Sequence, residues 1–414
     1  MPPIEDLLRD ELKRVADTVQ PGQLRPLQMP VPGRRWHRRL LPLAAAAAVI
    51  AVVVAAVLVA VPRPVPPSAP GPAAIPRYYL TFTYVADQQF HRLPVTEAVI
   101  RDSATGRITG TVKIVTGAFP APVTVAAAPD DRSFIIGTYG QDPKGIRGTS
   151  YQGARFFFLR LPISADGKPG HLTELSAHPV PMNAFLGGIA LSPDGTLLAV
   201  SLSYGVGRQN GHAASVVAAV EVINLVTGKV RIWTAGPQHG HYYATGSPSW
   251  ADGDRMIAFT WQHSQSLTND NMTMEGVRLL DTDAPGDNLV DSPMIVSRKA
   301  VSGTIQSALI TPDGRDVLMT TFRNVPSGGN RGTVIAQIAE VPATGSGPVR
   351  VLRTETAPYT VNTKGNLDYA SQVLSLDPTG RYALVQCLQF GWLDLDLGRF
   401  TPLPPYQAAV WGVW

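Results

Sequence analysis

The sequence predicts an all-β protein whose main part is a six-bladed β-propeller. One hairpin pattern, best preserved in IALSPDGTLLA at 189–199, occurs five times in all, at intervals of 58–66 residues. Each copy is followed by a second pair of strand-like runs, and four strands are the unit of a propeller blade. The 414 residues also include 38 glycines and 37 prolines, which indicate many turns.

Each of the five hairpins combines an apolar run, a turn and a second apolar run. The turns are centred on Pro129, Pro193, Ala251, Pro312 and Pro378. Proline presets the backbone of such a turn, and Asp or Thr followed by Gly allows the tight reversal. The recurring Asp is therefore interpreted as a turn former and not as a catalytic acid.

The first blade is predicted to combine both ends of the propeller. Five complete blades account for residues 123–404, and three strand-like runs precede them, beginning with 78–84. One further run, 408–414, follows them and is predicted to pair with 78–84 as the innermost strand of this blade. Such a closure removes an open sheet edge. The propeller is therefore predicted over 77–414, with blade 1 closed by 408–414.

A membrane anchor is predicted before the propeller. Residues 40–61 form a run of 22 residues without a charge, long enough for a transmembrane helix. The basic cluster RRWHRR at 34–39 precedes it, so the positive-inside rule places 1–39 in the cytoplasm and the propeller on the extracytoplasmic side of the cell membrane. A cleaved signal peptide is the alternative, but the apolar run is longer than such a peptide needs. An uncleaved single-pass anchor is the preferred interpretation.

Two further segments flank the predicted anchor. Residues 3–19 place apolar side chains at helical spacing, which predicts a short amphipathic helix in the cytoplasmic tail 1–39. Its apolar stripe makes this tail a candidate contact for a cytoplasmic protein partner. Residues 62–76 contain seven prolines and are predicted to form an extended linker between the membrane and the propeller.

Charge and cysteine content exclude two classes of function. The net charge is +4, of which residues 1–39 carry +3, so the nearly neutral remainder is not typical of a nucleic-acid surface. Cys387 is the single cysteine, which excludes a disulfide within the chain and a cysteine-based zinc site. It is predicted to be a small buried residue of a strand.

The turn sequences Ser192–Gly195 and Thr311–Gly314, each followed by an apolar strand, resemble the WD-repeat-like propeller repeats of the TolB family. The resemblance covers roughly 78–414 and implies the fold, because binding proteins, scaffolds and peptidases share this repeat. The overall plan also resembles membrane proteins of high-GC Gram-positive bacteria, some encoded beside extracytoplasmic-function sigma factors. Residues 1–39 contain no cysteine, so they lack the zinc motif of many anti-sigma factors.

No catalytic or metal-binding motif is identified. The nucleophile pattern Gly-x-Ser-x-Gly does not occur, and the run GTSYQG at 148–153 is one residue too long for it. The chain leaves no room after 408–414 for a hydrolase domain, so we expect no peptidase. His239 and His241 could share a metal, but no third ligand is identifiable, so they are interpreted as part of a polar loop. No cofactor and no metal are predicted.

A ligand site is expected on the long loops at one face of the propeller, because long loops on a rigid scaffold often carry function. The side chains predicted to bind a ligand are Tyr139, Tyr204, Arg208, His241, Tyr242, Trp261 and Arg323. The preferred hypothesis is a non-enzymatic, membrane-anchored propeller that binds a ligand or protein and signals through residues 1–39. The alternatives are a lyase or hydrolase acting at the central channel and an envelope scaffold of the TolB type.

Overall fold

A computed structural model describes residues 75–84, 95–114, 121–141, 154–175, 180–181, 184–209, 212–236, 242–264, 273–328, 331–360 and 372–404. Over these ranges the chain forms 24 β-strands and two short 3₁₀ helices, and no α-helix. The strands make six antiparallel sheets, so the prediction of an all-β, six-bladed propeller is confirmed. All of these residues belong to the compact unit Pro72–Trp414.

The blades follow one another in chain order. Blade 1 holds β1 (Tyr78–Tyr84), β2 (Val95–Asp102) and β3 (Ile108–Lys113). Blade 2 holds β4 (Ala121–Ala127), β5 (Ser133–Gln141), β6 (Ala154–Pro162), β7 (Thr173–Glu174) and β8 (Val180–Pro181). Blade 3 holds β9 (Ala184–Leu191), β10 (Leu197–Gln209), β11 (His212–Asn224) and β12 (Val230–Ala235).

The remaining three blades have four strands each. Blade 4 holds β13 (Tyr242–Ala251), β14 (Met256–Ser264), β15 (Thr273–Asp281) and β16 (Met294–Ser297). Blade 5 holds β17 (Thr304–Ile310), β18 (Asp316–Gly328), β19 (Arg331–Pro342) and β20 (Arg350–Thr360). Blade 6 holds β21 (Gln372–Leu376), β22 (Tyr382–Gln386), β23 (Phe390–Asp394) and β24 (Arg399–Pro402).

The inner strands are apolar on both faces because each blade is packed between two others. On β10, Leu198 and Val200 belong to the apolar cluster that includes Phe158 of blade 2. The intervening Ala199 belongs to the cluster that includes Trp250 of blade 4. Successive side chains of a strand point to opposite faces, so neighbouring residues fill different inter-blade cores. This explains why the strands read as continuous apolar runs.

The turn between the first and second strands of a blade is held by its own side chains. In blade 3, the Ser192 hydroxyl donates to Asp194 Oδ1 at 2.6 Å, and the Thr196 N–H donates to the same oxygen at 2.8 Å. Gly195 follows with a φ of 75°, which favours glycine. Thr311 and Asp313 repeat the hydroxyl–carboxylate bond in blade 5 at 2.7 Å. The interpretation of these Asp residues as turn formers is confirmed.

Two of these turns bring carboxyl groups together. Asp254, in the turn of blade 4, interacts with Asp194 of blade 3, and burial together with that neighbouring charge raises the pKa of Asp254. Its Oδ1 atom is buried without a hydrogen-bond partner among the residues that the structure describes. The ionised form of Asp254 is therefore disfavoured in the folded protein.

We expect Asp254→Asn to raise the melting temperature by a few degrees at pH 7.5, with the gain disappearing near pH 4. A carboxyl whose folded-state pKa is raised favours folding at low pH, and this contribution is lost as pH rises through that pKa. The amide is neutral throughout and can donate to Asp194. Thermal unfolding at both pH values checks this, with the exposed Asp287→Asn as control. An equal gain at both pH values would contradict it.

The three described strands of blade 1, β1, β2 and β3, correspond to the second, third and fourth strands of the other blades. The β2–β3 turn closes with bonds from Asp102 N–H to Arg107 O and from Gly106 N–H to Asp102 O. The same two bonds, from Asn224 and Gly228, close the turn between the third and fourth strands of blade 3. No described strand occupies the innermost position of blade 1. Residues 408–414 lie outside the described residues, so their pairing with 78–84 stays a prediction.

Blade 1 packs between blades 6 and 2 and closes the ring. Tyr79 of β1 shares an apolar cluster with Tyr382, Phe390 and Trp392 of blade 6, and the rings of Tyr79 and Phe390 are 5.8 Å apart. On the other face of β1, Leu80 packs in the cluster that includes blade 2 residues. Cys387 is buried in the core between blades 5 and 6, as predicted.

The predictions for the N-terminal segments are not tested. The helix 3–19, the transmembrane helix 40–61 and nearly all of the linker 62–76 lie outside the described residues. Within the described part of the chain, no helix has the length and apolarity needed to cross a bilayer.

Candidate functional site: the central channel

The innermost strands of blades 2–6 surround a central cavity of about 780 Å³. Its lining comes mainly from five strands and the turns that follow them: 124–127 of β4, 187–191 of β9, 242 and 244–250 of β13, 306–307 and 309–310 of β17, and 372–376 of β21. The turn residues Pro129, Pro193, Pro312 and Pro378 surround one end. The other end lies where the inner strands begin, beside the loops that join second and third strands.

Every one of these five inner strands contains a β-bulge. The extra residue is Val123 in β4, Gly187 in β9, Gln306 in β17 and Leu374 in β21, while Ser247 and Pro248 in β13 face one residue of β14. A bulge leaves one residue out of the ladder and redirects a side chain. The bulges therefore decide which groups face the channel.

Hydroxyl groups join the inner strands of neighbouring blades. Ser249 of blade 4 accepts the N–H of Ile310 of blade 5 at 2.9 Å. Ser307 of blade 5 accepts the N–H of Val373 of blade 6 at 2.6 Å. Buried backbone N–H groups need such partners, so these serines fix the spacing of the blades around the channel.

Three glutamine side chains line the channel on the arc formed by blades 4, 5 and 6. They are Gln262 of β14, Gln306 of β17 and Gln372 of β21, and all three are partly exposed. Their amide groups form no hydrogen bond with any described residue. An amide carries both donors and an acceptor, so this arc can bind a ligand that does the same. Tyr242, at the start of β13, lines the cavity beside them.

The opposite arc of the channel is apolar and closely packed. It comprises Thr124–Ala128 of β4 and Gly187–Leu191 of β9. Trp250 of β13 donates its indole N–H to the carbonyl oxygen of Ala190 at 3.0 Å, which ties blade 4 to this arc. The channel thus has one amide-rich side and one apolar side.

The charged groups of the described lining are two carboxylates at the turn end of the channel. Each of them accepts a hydrogen bond from a backbone N–H group of the protein. Asp131 accepts the backbone N–H of Arg77 at 2.8 Å, and burial raises the pKa of this carboxyl. Asp377 accepts the N–H of Tyr382 at 2.6 Å and is 2% exposed. Among the described residues, no group of three His, Cys, Asp or Glu side chains is arranged to hold a metal ion.

The structure brings only part of the predicted ligand-binding set to the channel. Tyr242 lines it. Tyr204 and Arg208 lie on the far half of β10, opposite Val217 and Ala213 of β11. Tyr139 lies near the end of β5, opposite Ala121.

The other three members of the set lie apart from the channel lining or outside the described part. Arg323 is exposed on β18 of blade 5, and His241 lies outside the described residues. Trp261 is 1% exposed, with the Tyr243 ring stacked 4.8 Å away and the Arg278 guanidinium 4.8 Å from its centroid. Its ring therefore presents no free surface, and we leave it out of the candidate site.

Sequence reasoning missed the three glutamines. Gln306 lies inside β17 and Gln372 begins β21, and a polar amide in an inner strand was the signal that the sequence offered. The bulge that sets Gln306 outside the ladder leaves no mark in the residue pattern. For that reason the sequence directed attention to the long loops instead of the inner strands.

Comparison with known proteins finds distant structural similarity. No protein-family model and no curated protein matches the chain. Among solved structures, hydrazine synthase of Kuenenia stuttgartiensis is similar at 16% identity over 73% of this chain and 71% of that one, with a TM-score of 0.39. The β-propeller domain of the Trilobed protease from Pyrococcus furiosus is similar at 10% identity over 75% and 87%, with a TM-score of 0.33.

Prolyl oligopeptidase B from Galerina marginata is also similar, at 8% identity over 76% of this chain, with a TM-score of 0.37. This chain spans 39% of the length of that peptidase. At such identities the likeness is one of fold, so no activity of these proteins is carried over to this chain.

Proposed function

We propose that this protein is a non-enzymatic propeller that binds an uncharged, hydrogen-bonding ligand in its central channel. The observation that supports this most is the arc formed by Gln262, Gln306 and Gln372, whose amides form no hydrogen bond with any described residue. Burying an unpaired amide under a ligand costs free energy unless the ligand supplies a partner. A ligand with matching donors and acceptors is therefore favoured over an apolar one.

The proposed location is the cell membrane, with the propeller on the extracytoplasmic side. Residues 40–61 serve as the single anchor, and residues 62–76 hold the propeller away from the bilayer. The support is the uncharged run of 22 residues preceded by the basic cluster 34–39. Fusion of a reporter enzyme to each end of the full chain tests this topology.

We extend the proposal to a cytoplasmic protein that binds residues 1–39 and responds to the propeller. The support is the apolar stripe of 3–19 and the resemblance to sigma-factor-associated membrane proteins. Affinity capture on residues 1–39 tests it, with a variant in which Leu8 and Leu12 are replaced by Ser as control. A partner, for example a sigma factor, retained only by the natural sequence would support signalling; equal retention by both would contradict it.

The channel site is tested by two near-isosteric substitutions, Gln306→Leu and Gln372→Leu. The probes are a panel of neutral oligosaccharides and of peptides blocked at both ends, and binding is followed as the shift in melting temperature. We expect each substitution to weaken binding of an active probe about tenfold, because a buried hydrogen bond is worth about 1 kcal/mol or more. Gln337→Leu is the control, since this residue bonds Thr354 on blade 5, away from the channel lining.

Two outcomes would contradict the channel proposal. One is that no probe shifts the melting temperature of the natural protein. The other is that an active probe binds the two leucine variants as well as it binds the natural protein. Chemical conversion of a bound probe would instead favour the alternative of a lyase or hydrolase acting at the channel.

A further inference from the structure

Blade 5 carries a strand edge that extends beyond its inner strand. β18 is 13 residues long, and its pairing with β17 ends at Phe322, which lies opposite Thr304. Residues 323–328 pair with β19 on one side. On the other side, no strand among the described residues pairs with them. Residues 323–327 are all exposed.

The end of β17 follows from the path of the chain. Gly303 has a φ of 102°, and a Cβ atom there would lie 2.6 Å from the carbonyl oxygen of Phe322. After the 3₁₀ helix Arg298–Ala300, the chain therefore first comes alongside β18 at Gly303, opposite Phe322. Among the described residues, no strand continues the line of β17 alongside 323–328.

Alternation along the strand identifies the backbone groups that face this open line. The carbonyl group of Phe322 lies against Gly303, on the side of β17, so by alternation Asn324 and Pro326 present their backbone groups to the same side. Asn324 offers an N–H and a carbonyl, whereas Pro326 offers a carbonyl alone. Proline is tolerated in a sheet where its nitrogen faces away from the neighbouring strand. An added strand must therefore place its acceptor opposite Asn324.

The same end of blade 5 is positively charged. Arg298, Lys299, Arg323 and Arg331 are exposed, and none forms an ion pair with a described residue. The sequence contains no Asp or Glu at 292–312 or at 317–339.

The nearest carboxylate on β20 is already occupied. Glu355 accepts the N–H groups of Leu388 and Gln389, at 2.7 Å and 3.1 Å, and its other oxygen binds Arg353. Within the part of the chain that the structure describes, neither Glu355 nor any other carboxylate forms an ion pair with the four cations.

We propose that the open edge of β18 docks an extended acidic segment of a protein partner. The segment adds to blade 5 as a strand in line with β17, bonding Asn324 and the carbonyl of Pro326, with its carboxylates near Arg323 and Arg331. Backbone bonds of this kind supply affinity, and alternate side chains supply specificity. This surface is separate from the channel, so the proposal does not depend on the channel ligand.

The test uses the full chain and a synthetic peptide, acetyl-Thr-Glu-Val-Glu-Val-Glu-Thr-amide, with binding followed by fluorescence polarisation. We expect saturable binding that weakens as salt rises, because exposed charges are screened beyond about 8 Å at physiological ionic strength. A peptide with Lys in place of Glu should bind at least tenfold more weakly. The acidic peptide with all interior amides N-methylated should lose binding to the same extent, since it cannot add as a strand.

Variants of the chain locate the peptide. Combining Arg323→Glu with Arg331→Glu should weaken binding at least tenfold, whereas Arg399→Glu, an exposed cation on blade 6, should leave it unchanged. Asn324→Pro removes one outward N–H and keeps every charge, so it should also weaken binding. If that variant does not fold, the N-methylated peptide tests the same backbone bonds on the natural protein.

Three results would overturn the proposal: no binding of the acidic peptide, equal binding of the acidic and basic peptides, or full binding to the Arg323→Glu and Arg331→Glu double variant. If the chain instead dimerises through the edge of β18, the occupant is a second copy of the chain, and the proposal of an acidic partner segment is overturned. We expect Gln306→Leu to leave peptide binding unchanged. The edge of β18 and the channel are therefore tested independently, and failure of one proposal does not imply failure of the other.

Discussion

Gly187→Ala is expected to lower the free energy of unfolding by about 3 kcal/mol, the upper range for overpacking a close contact. A Cβ atom at Gly187 would lie 2.2 Å from the carbonyl oxygen of Thr245 and 2.9 Å from the Cα of Gly246. Both atoms belong to the backbone of β13, so no side-chain rotation can relieve the clash. Thr245 is held in place because its hydroxyl oxygen lies 3.0 Å from Leu202 O and 2.9 Å from Ala219 O and can donate its one proton to either carbonyl.

Urea denaturation of the two proteins measures this loss, and Gly236→Ala is the matched control. Gly236 is exposed and has no atom within 4 Å of the Cβ position, so its substitution should change stability by less than about 0.5 kcal/mol. If Gly187→Ala proved as stable as the control, the close approach of β9 and β13 would not be a constraint on the fold.

Tyr79→Ala is expected to cost about 4 kcal/mol, because it empties the contact between blades 1 and 6. Tyr79 is 1% exposed and packs with Phe390 and Trp392. In a propeller each blade is stabilised by its two neighbours, so a cavity at this contact weakens the closure of the ring. The loss should therefore exceed that of an ordinary surface truncation.

The same denaturation experiment measures it, with Ile108→Ala as control. Ile108 belongs to the same blade but is 50% exposed on the outermost strand β3, so we expect a change of about 0.5 kcal/mol or less. A similar loss for the two variants would mean that Tyr79 does not hold blades 1 and 6 together.

The fold was predictable because its signals are local and repeated. A Pro-Asp-Gly turn is held by bonds within five residues, such as those from Ser192 and Thr196 to Asp194, so it has the same appearance wherever it recurs. Counting the copies then gave five blades, and the strand-like runs outside them gave the sixth. The assignment of strands within blade 1 needed the structure. The hydrogen bonds of the Asp102–Arg107 turn identify β2 and β3 as the third and fourth strands of a blade, and the sequence does not show these bonds.

The candidate site was only partly predictable because it is built from residues far apart in the chain. Tyr242 was identified from its loop, and it does line the channel. Trp261 has the same amphipathic character in the sequence, yet it is buried against Tyr243 and Arg278. The outcome for such an aromatic depends on which face of a strand it occupies, and only the packing of the blades decides that Trp261 faces Tyr243 and Arg278.

By itself the sequence determined the class of fold, the number of blades and the chemistry of the turns, since each depends on contacts between residues close in the chain. The tertiary structure decided which groups face the channel and which strand edge of blade 5 is open. Gln262, Gln306 and Gln372 line one cavity only when the ring closes, and the bulge that sets Gln306 outside the ladder has no signature in composition or period. The turn at 189–199 is therefore informative about architecture, whereas the proposed ligand binding rests on polar residues that the turns do not reveal.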